Sequence, residues 1–135
     1  MPDNYLPAKG SALLIPSGTV SNPDGKHLFV VLTNPCAAGQ HLLVSVSSVK
    51  PGRAHDSTCL LEAAEHPFIE QQSYVFYARP RQIGHAGIIK CVGAGLYVAK
   101  EACEQAVLQK VCAGLSASPM TPRWAKEYYR VNQNR

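Results

Sequence analysis

A chain of 135 residues, 46% hydrophobic and 16% charged, has the size and apolar content of one globular domain. A formal charge of +4 permits an RNA, DNA or acidic-protein partner without demanding one, and no block of like charges marks a nucleic-acid tail. The polar opening MPDNYLPAKG lacks the apolar stretch of a secretory signal, and no apolar run reaches the ~18–20 residues that span a bilayer, so a cytoplasmic protein is expected.

After the first ten residues, a loose leading arm, Ser11–Ile15 (SALLI) predicts a first strand stopped by Pro16. Ser17–Gly25 (SGTVSNPDG) is loop chemistry, with Asn-Pro and Asp-Gly together. His27–Thr33 (HLFVVLT) predicts a buried strand, and Asn34–Gln40 turns the chain. His41–Val49 predicts a half-buried strand in which Val44, Val46 and Val49 oppose Ser45, Ser47 and Ser48. A KPGRA turn leads to a short strand at Thr58–Leu61, then a connector over Glu62–Pro67. Ser73–Ala78 is the next strand, with Tyr74, Phe76 and Ala78 on one face and Ser73, Val75 and Tyr77 on the other.

The Gly-rich Ile83–Tyr97 stretch fits a short helix ending at Gly93 or Gly95, then a strand-like Leu-Tyr-Val. Lys100–Leu115 predicts a helix with Val107, Leu108, Val111, Cys112 and Leu115 on one apolar stripe and Gly114 near its end. A SASPMTP linker precedes a last short helix over Arg123–Val131. About five short strands followed by helices predict a mainly β protein with C-terminal helices (α+β), built on a small, strongly bent or closed antiparallel barrel. Residues 1–118 form the expected single domain, and 119–135 a tail or short helix. The five cysteines, Cys36, Cys59, Cys91, Cys103 and Cys112, are odd in number and lack CxxC spacing, which suits free thiols.

His55–Arg81 is the stretch richest in chemistry. It holds His55, His66, Asp56, Glu62, Glu65, Glu70, Cys59, Tyr74 and Tyr77 around two short apolar runs. Such groups are costly to bury without partners. His55, Asp56, Cys59 and His66 are each competent metal ligands, but their spacing is not that of a zinc motif. Asp56 either orients a histidine or makes an Asx turn. Pro67 restricts His66 to extended geometry.

SALLIP (Ser11–Pro16), the loop Ser17–Gly25, HLFVVLT (His27–Thr33), LLVSVSS (Leu42–Ser48) and the late helix stand in an order that resembles the PemK/MazF family of small β-barrel toxins. The resemblance covers roughly residues 10–115 and is topological more than motif-exact. It implies an SH3-like barrel, a homodimer, and cleavage of single-stranded RNA without metal or other cofactor, restrained by an antitoxin protein. The Arg of the family's Arg-Pro pair aligns with His27, beside Lys26, and its Ser/Thr pair aligns with Ser47 and Ser48. The first is a departure, because Arg is a permanent cation and His is not. Arg53–Arg81 has no close counterpart in the family.

Cleavage of this kind needs a base for the 2′-OH proton, an acid for the leaving 5′ oxygen, and donors for the charge on phosphorus. The candidate catalytic residues are His27, Ser47, Ser48, His55, Asp56 and His66. The candidate RNA-binding residues are Lys26, Arg53, Arg79, Arg81 and Tyr77. Each has a plainer role beside the functional one: a strand-edge histidine, a solvated serine face, a turn carboxylate, a core tyrosine. A non-catalytic barrel that binds nucleic acid or a protein partner, and a structural homodimer, are the alternatives. The basic, aromatic tail (Arg123, Trp124, Lys126, Tyr128, Tyr129, Arg130) either contacts a partner or docks its aromatic face on the body.

Overall fold

The computed structural model describes residues 5–17 and 25–135, so residues 1–4 and most of the loop expected between Ser17 and Gly25 lie outside the described residues. Within them are β1 (Ala12–Pro16), β2 (Lys26–Val31), β3 (Gln40–Ser48), β4 (Leu60–Leu61), β5 (Ser73–Gly84) and β6 (Val98–Lys100). The helices are α1 (His85–Gly93), α2 (Gln105–Ala117) and α3 (Arg123–Asn132). The strands make one antiparallel sheet in the order β4-β5-β3-β2-β1-β6. It curls into a half-barrel with the helices around it, the α+β class expected.

Period-two alternation gives the sheet two apolar faces. Leu28, Val30 and Leu32, Leu42, Val44 and Val46, and Val75 and Tyr77 face inward and are covered by Val107, Leu108, Val111 and Leu115 of α2. Leu13, Ile15, Phe29, Val31 and Leu43 face the other way and meet Ile88 and Val92 of α1. Ala125 brings α3 onto the inner core, and Tyr128 on the same helix donates to the Gln40 carbonyl at 2.9 Å. Trp124 points away and is 45% exposed.

Three local expectations change. The helix expected from Lys100 begins at Gln105, because Val98–Lys100 pairs with β1 as an edge strand and the Cys103 amide donates to the Gly10 carbonyl. Cys103 therefore precedes the helix. Gly114 does not end α2, which runs to Ala117. A Cβ at Gly114 would sit 2.7 Å from Cζ of Tyr77, so glycine lets the helix close over that ring. The strand expected to end at Ala78 continues to Gly84 through Arg79-Pro80-Arg81. The β3–β5 register shifts between Leu43 and Ser45, and Pro80 falls inside that irregularity, where a missing N–H costs no ladder bond.

Among the described residues no ladder joins the sheet edges β4 and β6; side chains join them instead. The Phe68 amide donates to His66 Nδ1 at 3.0 Å, so Nε2 carries the proton and donates to the Glu101 carbonyl at 2.6 Å. Lys100 lies over the Phe68 ring at 5.9 Å, and Lys110 bonds Glu65 at 3.0 Å.

Candidate functional site

The start of β2, the end of β3 and the start of β5 meet the loop after β3 at one end of the sheet. There they enclose a groove of about 510 Å³. Its walls carry Lys26, His27, Ser47, Ser48, Lys50, Arg53, His55, Phe68 and Tyr74, and among its described lining residues none is acidic. The register explains the gathering. Leu28 pairs Val46, so one step further sets His27 opposite Ser47, and Ser47 pairs Tyr74. His27, Ser47 and Tyr74 thus form a row across three strands on one face. His55 extends the row, its ring 5.3 Å from that of Tyr74 and tilted 34°.

His27 is half-buried, and its Nδ1 lies 2.5 Å from the Ser17 hydroxyl, while among the described residues Nε2 has no hydrogen-bond partner. Burial pushes its pKa below the ordinary imidazole value, and the nearby charges of Arg81 and Lys50 push it further down. At neutral pH it therefore holds the unprotonated form that a general base needs. Lys26, Lys50 and Arg53 surround it with positive charge that a phosphate chain would neutralise.

Six of the expected site residues line this groove: His27, Ser47, Ser48, His55, Lys26 and Arg53. The others are elsewhere. His66 is buried at 2% exposure and both its ring nitrogens are taken by the backbone, so it is a structural clasp. The Asp56 carboxylate accepts from the Thr58 amide (2.9 Å), the Thr58 hydroxyl (2.6 Å) and the Ser118 hydroxyl (2.5 Å). Burial pushes its pKa up, but these hydrogen bonds outweigh that and leave it below the usual carboxylate range. Asp56 makes the Asx-type turn and ties its loop to the α2–α3 linker.

Tyr77 is wholly buried, and its hydroxyl donates to the Val111 carbonyl at 2.6 Å, so it is core and not an RNA contact. Arg79 is exposed on β5 away from the groove wall. Arg81 lies outside the wall too, its guanidinium 4.7 Å from the Phe29 ring centre, and it acts on His27 through space. Among the described residues no group of three or more His, Cys, Asp or Glu side chains is placed to hold a metal, and His55, Asp56, Cys59 and His66 do not converge.

Three lining residues, Lys50, Tyr74 and Phe68, were not among the candidate site residues. Lys50 and Arg53 flank the same Pro-Gly turn, so naming one should have named both. Tyr74 shares the face of Ser47 only through the β3–β5 register, which strand pattern alone does not set. Phe68 arrives through the connector that His66 holds.

A second histidine pair lies at the opposite end of β3. The wholly buried His41 donates from Nδ1 to the Thr33 carbonyl at 2.7 Å, and its Nε2 meets His85 Nδ1, on the first turn of α1, at 2.8 Å.

No family model matches the chain, and no curated protein matches it. Among solved structures it is similar to a chain of the MazE-MazF crystal structure, form II, from Deinococcus radiodurans. The TM-score is 0.53 at 15% identity, over 84% of this chain and 95% of that one. Form III of the same complex gives a TM-score of 0.54 at 16% identity over the same shares. The likeness is one of fold: the curled sheet and its helices make a MazF-like fold. No helix among the described residues is long and apolar enough to cross a membrane.

Proposed function

We propose that this chain is a toxin-like endoribonuclease that cleaves single-stranded RNA in the groove by acid/base chemistry, needs no metal, and is restrained by an antitoxin protein. The observation that carries this reading is the row His27–Ser47–Tyr74–His55 inside a cationic groove whose described lining is free of acids. His27 Nε2 takes the proton of a ribose 2′-OH, and the 2′ oxygen bonds to phosphorus. The bond from phosphorus to the 5′ oxygen breaks as His55 gives that oxygen a proton. The products are a 2′,3′-cyclic phosphate and a 5′-OH end. Ser47, Ser48 and the cations Lys26, Lys50 and Arg53 stabilise the charge on the equatorial oxygens.

The MazE-MazF complexes of the same fold support the antitoxin partner; a cytoplasmic homodimer is part of the proposal. The decisive experiment incubates the purified chain with end-labelled, mixed-sequence single-stranded RNA in chelator. Cyclic-phosphate ends should appear, and His27→Ala should slow their release by about 10²-fold or more, the usual worth of a positioned base. RNA left intact by folded protein would refute the enzymatic claim and leave a binding module.

A further inference from the structure

We propose that an apolar cavity beside the groove is a nucleobase site, taking one unstacked base of a strand whose phosphates lie along Lys26, Lys50 and Arg53. This rests on the groove's being an RNA site and adds where the strand's bases go. The cavity, about 320 Å³, is at the lower end of the roughly 300–1,000 Å³ of small-ligand clefts. It shares Ala54, His55 and Tyr74 with the groove and continues it toward Phe76, Ala78 and Met120. The cavity therefore adjoins the groove at Ala54, His55 and Tyr74, next to the cations a strand would follow.

Its chemistry suits a flat, aromatic occupant. The Phe76 ring stands edge-on to Tyr74, with centroids 6.5 Å apart at 89°, and His55 lies against Tyr74. Phe76 pairs with Ser45, one row along from Ser47 and Tyr74, so the sheet itself fixes the ring's place. The carboxylate at the margin, Asp56, is already engaged by Thr58 and Ser118. Recognition by ring faces and apolar contact tolerates any base, as in single-strand binders that combine a cationic track with aromatic platforms. Met120, 55% exposed at the mouth, is a flexible cover of the kind that adapts to differing ligands.

The test uses the full chain and two fluorescent probes: a 2′-O-methyl oligouridine of about ten nucleotides, which lacks the attacking hydroxyl, and the same chain without bases. Wild type should bind the first about tenfold more tightly. Phe76→Leu keeps apolar volume but removes the flat ring, and Met120→Ala opens the mouth; each is checked for fold by its melting curve. The base preference should largely vanish in Phe76→Leu and shrink in Met120→Ala, with the salt dependence unchanged because the phosphate contacts remain. Equal binding of both probes by wild type, or a preference undiminished in the folded variants, overturns the base site and leaves the groove standing as a phosphate track. Loss of self-association in Phe76→Leu with the preference intact assigns the cavity to a protein contact and also overturns it. Binding of neither probe sinks the RNA reading itself, and the base site with it.

Discussion

At the scale of single residues, His27, which the sequence resemblance sets against an arginine, has surroundings that suit a different task. An arginine there holds phosphate and cannot take a proton. A half-buried imidazole beside Arg81 and Lys50 is held below its ordinary value and is unprotonated at neutral pH. In the proposed reading, phosphate binding falls to Lys26, Lys50 and Arg53 on the groove wall. If His27 is the base, the acid limb of the kcat/KM profile falls below 6.5, the ordinary imidazole value. Arg81→Gln removes the larger of the two charges acting on His27, so its pKa rises and the limb moves toward higher pH. Burial, the larger cause, is untouched, so the limb stays below the ordinary value. The measurement is the pH dependence of cleavage for both proteins; a limb that does not move when Arg81 is neutralised gives the base to another group.

At the scale of elements, two contacts hold the half-barrel together. Tyr77 fits beneath α2 only because residue 114 has no side chain. Gly114→Ala gains helix propensity, about 1 kcal/mol, but drives a methyl group into the ring, an overpacking that costs about 1–3 kcal/mol or more. Net loss of stability is expected in urea unfolding. Tyr77→Phe in the Gly114→Ala background should cost less than Tyr77→Phe alone, because the lost hydroxyl is also the atom in the way. Additive costs would show that the helix shifts instead. His66 is the second contact. His66→Ala leaves the Phe68 amide and the Glu101 carbonyl without this partner, and a loss on the order of 2–3 kcal/mol follows. The variant should also loosen Phe68, and with it one wall of the groove, so the apparent affinity for RNA weakens along with the melting temperature. A variant as stable as wild type would show that the strand edges do not depend on this histidine. Neither contact was legible in the sequence. Gly114 near a helix end fits a C-cap as well as a close approach. His66 beside Glu65 and Pro67 looks equally like a held catalytic group. What separates these readings is which distant residue arrives opposite, and that is a tertiary fact.

For the molecule as a whole, the order of strands and helices was legible because most strands are short runs rich in apolar residues between turn residues, and both faces of the sheet are apolar where helices cover them. The groove's place was legible in part. His27, Ser47 and Ser48 mark adjacent strand ends, but Tyr74 and His55 join them through register and loop path. The His41–His85 pair went unread because His41 opens the apolar part of its strand and His85 follows it by 44 positions. His41 is one of the groups through which the fold responds to acid. Burial lowers the His41 pKa, the Thr33 carbonyl opposes this, His85 adds to the lowering, and the net value lies below 6.5. The His27 pKa is lowered too. The unfolded chain binds these protons near 6.5 while the folded chain refuses them, so stability is full above that value and falls as the pH drops from it toward the folded values. A second, lower decline belongs to Asp56 and Glu65, whose depressed values stabilise the fold above the ordinary carboxylate range and cease to do so as they protonate. The melting temperature, followed from slightly alkaline to acid pH, should therefore fall in two stages. His41→Gln removes one of the two refused protons, so the upper stage should shallow while the lower stage stays in place. An unchanged upper stage in that variant would mean that His41 takes up its proton as readily as the unfolded chain does.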